Sequence, residues 1–164
     1  MPEESTADAD RAVRPGTDRL LCDAMLGTLT VYLRMCGYDA AYADDALDDA
    51  AVRALAEAEG RRLLSRDVSL VAGTPGGVLL TEREVADQLR ELRSAGFELR
   101  LPDRPVRCGR CNGRLEAMPA GAPRPDYAPT PDEADCWRCV DCDQCFWRGS
   151  HWDRVGRVLE AVRS

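Results

Sequence analysis

Two groups of side chains in this sequence have types and spacings that could do chemistry. The first is a set of aspartates that follow short apolar runs: Asp23 after RLLC, Asp44, Asp45, Asp48 and Asp49 after YDAAYA, and Asp67 after RRLLSR. If those runs are neighbouring parallel strands, three strand ends deliver carboxylates to the sheet edge where ligands of open α/β sheets bind. Like charges gathered there are costly unless a cation joins them, and an all-oxygen donor set suits Mg2+ or Mn2+. Such an ion can activate a water and steady the leaving oxygen of a phosphodiester, so the pattern fits a metal-dependent nuclease centre. The competing reading makes Asp23, Asp48 and Asp67 helix N-caps and leaves Asp44 and Asp45 as solvated turn residues. Arg34 and Arg66 could hold a phosphate by bidentate hydrogen bonds, or pair with a neighbouring carboxylate.

The second group is the cysteines. CGRC at 108–111 supplies one CxxC pair, and CWRCVDCDQC at 136–145 holds four cysteines at an unbroken three-residue step. Two such pairs some twenty-odd residues apart read as a tetrahedral Zn(Cys)4 ribbon. Cys108 and Cys111 form the first pair; spacing alone allows 136/139, 139/142 or 142/145 for the second. A hairpin centred on Val140 and Asp141 would favour Cys139 and Cys142. A closed four-thiolate shell leaves no open position, so the zinc is expected to be structural and to help fold a module too small to bury a core of its own.

The totals bound these readings. A chain of 164 residues suits one medium domain and one small one. There is no lysine, so all 22 basic residues are arginine, and the net charge is −7. The acidity lies in residues 1–100, with 12 arginines against 19 acids, whereas residues 101–164 balance 10 against 10. That excess argues against broad nucleic-acid affinity, and a nucleic-acid substrate would need local arginine clusters. Eight cysteines without an export signal point to metal binding rather than disulfides. Residues 1–18 are acidic and polar and read as a disordered tail, and no apolar run reaches membrane-spanning length, so the expected location is the cytoplasm.

Strands are expected at 19–23, 38–43, 61–67 and 77–80, and helices over 25–36, 48–60 and from a Thr81–Glu84 capping box to Gly96. Only a short turn is expected between the third and fourth strands. The alternation predicts an α/β fold, a parallel sheet flanked by helices, in a domain spanning 19–101. A zinc ribbon follows over 106–152, interrupted by an irregular loop at 116–135 that holds five of the ten prolines. Residues 153–164 read as a C-terminal helix, with Ser150 and Asp153 near its cap. Cys22 and Cys36 pack as small hydrophobes.

The stretches LLCDAMLGTLTVYLRMCGYDAAYADD, AEAEGRRLLSRDVSL and RCGRCNGRL…WRCVDCDQCFWRGSHWDR resemble the Mut-seven carboxy-terminal RNase family, PIN-like domains carrying a zinc ribbon. The resemblance runs from about Arg19 to Trp152. It implies a PIN-like fold and cleavage of an RNA substrate that depends on Mg2+ or Mn2+. It places the first catalytic acid at Asp23, the second at Asp49 with Asp48 one step away, and the third at Asp67, where the family commonly has threonine in place of Ser65. A fourth acid has no clear match, although Glu82, Glu84 and Asp87 lie in a suitable region. It aligns the second zinc pair with Cys139 and Cys142 and leaves Cys136 and Cys145 as extra thiols on the ribbon strands.

His151 is a candidate fifth ligand or base, or simply packs at a helix start. Trp137, Phe146, Trp147 and Trp152 could stack bases or build the ribbon's small core. The leading expectation is a metal-dependent ribonuclease. Its alternatives are a non-catalytic adaptor of the same fold that binds RNA or protein, the latter through the ribbon, and a zinc-stabilised interaction module whose acids only cap helices.

Overall fold

Alternating side chains decide how the first domain closes. In the computed structural model, which describes residues 12–164, β1 (Arg19–Cys22), β2 (Asp39–Tyr42), β3 (Arg61–Ser65) and β4 (Val78–Leu79) form one sheet in the order β2-β1-β3-β4. Every ladder is parallel, with Leu21 opposite Leu63 and Cys22 opposite Leu64. Successive side chains therefore point to opposite faces. Leu20, Cys22 and Leu64 join one apolar cluster, while Leu21 and Leu63 join another. A parallel sheet buried on both faces needs helices on both sides.

One face is covered by α1 (Gly27–Met35) through Leu29 and Leu33 and by α4 (Val85–Ser94) through Leu89 and Leu92. The other face carries α2 (Asp49–Glu59), which contributes Val52 and Ala56, and α3 (Val68–Ala72), which contributes Leu70. The five-residue α3 stands where only a turn was expected, because Asp67 caps it and Leu70 gives it an apolar anchor.

The second module is a small antiparallel sheet of β5 (Leu115–Ala117), β6 (Trp137–Cys139) and β7 (Cys145–Phe146), in that order. After it, α5 (Ser150–Arg163) returns to the first domain and buries Val155, Leu159 and Val162 in the same cluster as Leu29 and Leu89. The ribbon is thus inserted between two parts of one core, and the C-terminal helix is no separate appendage.

Four boundaries differ from expectation. Val13 is buried, bridges to Phe97 and joins the main core, so the expected tail ends before it; the part of that tail at residues 1–11 lies outside the described residues. The Thr81–Glu84 capping box does not form, because Glu91 reaches back from α4 to take the Thr81 and Glu82 amides and the Thr81 hydroxyl. α5 starts at Ser150 behind Gly149, without a side-chain cap. The loop expected from residue 116 begins after β5, and Arg124 holds it by donating to the Pro129 and Ala134 carbonyls.

The ribbon docks on the outer edge of β2. Asn112 accepts from the Ala40 amide at 3.0 Å and donates to Asp39 Oδ1 at 2.7 Å. Arg34 donates from Nε to the Ala40 carbonyl at 2.8 Å and from Nη1 to the Gly109 carbonyl at 3.1 Å. Arg61 meets Asp39 Oδ1 at 2.8 Å, with Arg107 3.8 Å from the other carboxylate oxygen. Partial burial works against the charge on Asp39, but hydrogen bonds from Arg61 and Asn112 and the charges of Arg61 and Arg107 overcome it and hold the carboxyl at about 2.

A carboxyl depressed on folding contributes stability that is complete above its unfolded value, about 4, and is lost as pH falls through the folded value. Asp39→Asn should therefore cost about 2 kcal/mol at neutral pH, where hydrogen bonds to a charged partner are lost. Denaturation measured across pH should show a constant gap to wild type from about pH 8 to 5, closing only below about 4.

Candidate active site and metal centre

The carboxyl ends of β1 and β3 lie side by side, and the ladder continues one step beyond them, with the Asp23 amide donating to the Leu64 carbonyl at 3.1 Å. This puts Asp23 beside Ser65. The Ser65 hydroxyl, fully buried, donates to Asp23 Oδ2 at 2.7 Å and accepts from the Asp67 amide at 3.0 Å. Because that amide has a proton only to give, the hydroxyl proton must point at Asp23. Asp23 Oδ1 accepts from the Ala24 amide at 2.8 Å and caps the 3-10 turn Ala24–Leu26. Both carboxylate oxygens are therefore oriented by the fold, and a carboxylate oxygen retains capacity for a second partner.

Asp67 is exposed and caps α3, Oδ1 accepting from the Leu70 amide at 3.1 Å. Capping and a place on the site edge thus coincide in both acids. In the next loop the two candidate aspartates separate: Asp48 is the N-cap of α2, accepting from the Ala51 amide at 2.8 Å, while Asp49 opens the helix with an exposed side chain. Asp44 closes a turn onto the Ala46 amide at 2.7 Å.

Of the fourth-acid candidates, Glu84 lines a cleft of about 340 Å3 with the Ala24–Leu29 segment, Tyr42 and Arg83. Asp87 instead pairs with Arg90 at 2.8 Å, and Glu82 is exposed outside that cleft. Glu91, which the sequence did not single out, has its carboxylate taken by the loop before α4. Its burial is outweighed by the amides of Thr81 and Glu82, the Thr81 hydroxyl and the charge of Arg66, which hold it below the usual carboxylate range.

The two arginines diverge as well. Arg34 is 7% exposed and committed to carbonyls at the ribbon interface, so its guanidinium is not offered to a phosphate. Arg66 sits between Ser65 and Asp67 on the site edge. Among the described residues its guanidinium has no hydrogen bond or ion pair, and Nε is buried without a partner.

The cysteines gather as the spacing required. The Sγ atoms of Cys108, Cys111, Cys139 and Cys142 all lie within 4.8 Å of one another. Cys108 and Cys142 are 3.7 Å apart and Cys111 and Cys139 are 3.4 Å apart, close to the roughly 3.8 Å edge of a tetrahedron with 2.3 Å Zn–S bonds. In each knuckle a backbone amide turns toward the first sulfur, Cys111 N to Cys108 and Asp141 N to Cys139, both at 3.4 Å. The residue after each pair takes a left-handed conformation, Asn112 at φ 72° and Asp143 at φ 64°, which asparagine and aspartate tolerate best among non-glycine residues. The donor set, its spacing and the paired knuckles fit zinc. Among the described residues, Asp23, Asp49 and Asp67 form no comparable cluster of ligand atoms.

The remaining thiols are buried. Cys22 and Cys36 lie in the main core, where burial pushes their thiols up to about 11 and about 12. Cys136 lies 3.3 Å from Arg124 Nη1, and Cys145 contacts Met118 at 3.6 Å. His151 is exposed in the first turn of α5 and stands outside the cysteine cluster. Trp137 is buried under the Arg148 guanidinium, 5.4 Å from its ring centre, whereas Phe146, Trp147 and Trp152 line a cleft.

A parallel α/β domain with acids on its carboxyl edge and an inserted four-cysteine ribbon is the class that this architecture defines. The family model for the Mut7-C RNAse domain matches residues 18–159, and the chain belongs to that family. No curated protein and no solved structure matches the chain. Among the described residues, no helix is long and apolar enough to cross a membrane.

Gly113 tests the metal centre. A Cβ there would come within 2.6 Å of both Cys139 Sγ and Asp141 Oδ2, so the second knuckle closes only over a glycine. Gly113→Ala should release zinc to a competing chelator at about tenfold lower chelator concentration, because the ligand geometry sets the affinity. A zinc-responsive dye reads the release.

Proposed function

We propose that the chain is a ribonuclease that hydrolyses RNA phosphodiester bonds at the carboxyl edge of its sheet, using Mg2+ or Mn2+ held by Asp23, Asp67 and Asp49. The observation that carries this reading is the Asp23–Ser65–Asp67 link, which aims the first acid and fixes the backbone of the third at adjoining strand ends. Hard divalent ions commonly need only one or two carboxylates, completing their shell with water and phosphate oxygens, so the wide spacing of the acids is compatible with the role. When bound, the ion would supply Lewis acidity and an activated water.

The protein's own groups divide the remaining work. Ser65 orients Asp23. Among the described residues Asp49 makes no side-chain hydrogen bond or ion pair, whereas Asp48 gives Oδ1 to its cap and keeps Oδ2. Glu84 brings a further carboxylate to the cleft beside Asp23, and Arg66 offers a guanidinium to the phosphate. Zinc at Cys108, Cys111, Cys139 and Cys142 is structural. The eight cysteines form no disulfide, which suits a reducing, cytoplasmic setting.

A non-catalytic RNA- or protein-binding adaptor remains the second reading, favoured by the acids standing apart in the fold. Zinc-loaded protein incubated with end-labelled RNA and Mn2+ decides between the two. Asp23→Asn should lower cleavage by about a hundredfold or more, as removal of a transition-state interaction does, while RNA affinity changes little. Ser65→Ala should lower it by about 10–100-fold through loss of the orienting bond. A folded wild type that binds RNA and never cuts it would establish the adaptor.

A further inference from the structure

The ribbon and the first domain enclose a cleft of about 420 Å3, larger than the one beside Asp23. Its floor is Val31 and Met35 of α1, and its walls include Phe146, Trp147 and Trp152. Arg107 and Arg110 stand at its rim, and no aspartate or glutamate lines it. In a chain of net charge −7, an acid-free cleft combining aromatic rings with guanidinium groups is selective for a ligand with a flat apolar part and a negative one.

The rings are held in place before any ligand arrives. Trp147 packs on Gly149, where a Cβ would come within 2.6 Å of the indole nitrogen, and its ring lies 6.1 Å from that of Tyr127. Arg110 is exposed and its Nη1 donates to Gln144 at 3.1 Å; among the described residues it has no ion pair. Arg107 is half-buried, donates to the Asn112 carbonyl at 3.1 Å and carries a charge only partly met by Asp39. The volume lies in the range of pockets that take a drug-sized ligand, ample for one nucleobase.

α1 connects this cleft to the acid edge. Thr28 lines the cleft beside Asp23, and Val31 and Met35 line the ribbon cleft, so the two openings are lined by different residues, at i, i+3 and i+7, of one helical face. At about 1.5 Å per residue, the rise from Thr28 to Met35 is about 10 Å, one or two nucleotides of extended strand.

We propose that the ribbon cleft is a binding subsite for one unpaired base of the RNA strand, stacked among Trp147, Trp152 and Phe146, with an adjoining phosphate on Arg110 and Arg107. This deepens the ribonuclease reading and rests on it for the choice of RNA as ligand. The strand runs along the Thr28–Met35 face of α1, so the base is anchored one or two nucleotides from the bond at the Asp23 edge. A base pair cannot enter without being opened, and single-stranded segments are therefore selected over duplex.

The test uses the zinc-loaded full chain carrying Asp23→Asn, so that RNA survives, without added divalent ion. A short unstructured RNA should quench tryptophan fluorescence and bind at least tenfold more tightly than a fully paired duplex of the same sequence. Trp152→Leu and Arg110→Glu, added separately, should each weaken binding of the single strand by about tenfold, the order expected for one stacked base or one phosphate contact. Zinc content and melting temperature check that each variant is folded. Photo-crosslinking with 4-thiouridine RNA, mapped to peptides, covers the case in which a ribbon variant fails to fold. Crosslinks in residues 144–152 are expected.

Single-strand affinity unchanged in both folded variants, with crosslinks elsewhere, would overturn the subsite even if the wild type cleaves RNA. Ribbon crosslinks and weakened variants, in a protein whose wild type never cleaves, would keep the subsite and sink the nuclease reading instead.

Discussion

β2 is an edge strand, and everything beyond the first domain depends on how that edge is closed. An open edge presents unpaired amides and carbonyls to any passing strand. Here the outward amide and carbonyl of Ala40 are both taken, by Asn112 of the first knuckle and by Arg34 of α1. Asn112 reaches the edge because it sits in a left-handed turn just after Cys111, and that turn holds its shape when Cys108 and Cys111 are tied to Cys139 and Cys142. Knuckle and sheet edge therefore form one unit, which a metal held by the four sulfurs would tie together. A ribbon of three strands with only two or three residues each could not supply that closure from its own packing.

The same closure fixes where the ribbon stands relative to the acids. It is tied at β2 by Asp39 and Arg34 and at its far end by α5, whose Val155, Leu159 and Val162 return to the main core. Its aromatic wall consequently lies against the flank of α1 that also leads to Asp23. The acids are positioned by a different device: their capping bonds. Asp23 and Asp67 are held by the first turns they initiate, and Ser65 couples the two. Capping and catalysis are thus not competing accounts of these residues. A cap uses a single oxygen of the carboxylate, so a capping aspartate at a strand end still has lone pairs available.

Residue pattern revealed the parts that depend on local periodicity. Leucine alternation in β1 and β3 and the glycine stops after α1 and α2 gave the strands and helices, and the CxxC steps pointed to a four-cysteine metal site but left three options for its second pair, which the fold narrows by gathering Cys139 and Cys142 with Cys108 and Cys111. Long-range contacts decided what the pattern could not reveal. Val13 looks like any valine in a polar stretch until Phe97 pairs with it, and nothing in HWDRVGRVLEAV says which core its apolar face enters. Arg34 resembles a phosphate ligand by type and by its place on a helix, yet the partners that bury it, Ala40 and Gly109, lie six and 75 residues away. Glu91 was invisible because its role is to cap a loop ten residues upstream. Asp48 and Asp49 stand side by side in sequence, and only the start of α2 shows that the first gives one oxygen to a cap and the second gives none.

At Arg34 the use of arginine rather than lysine follows from the same geometry. A lysine ammonium is strongly hydrated and poorly suited to burial between two carbonyls, whereas the planar guanidinium of Arg34 directs separate N–H groups at Ala40 and Gly109. The protein can therefore be acidic overall and still offer directed cationic groups at chosen points. For an RNA strand the net field is repulsive, and at physiological ionic strength it is screened beyond about 8 Å. What remains at contact range is local: an acid-lined edge, which a phosphate would approach only together with a cation, and an acid-free aromatic cleft suited in shape and charge to an unpaired base. Because stacking is far less salt-dependent than phosphate contact, the proposed base subsite would set the register of the strand and the proposed cation-dependent edge would set where it is cut.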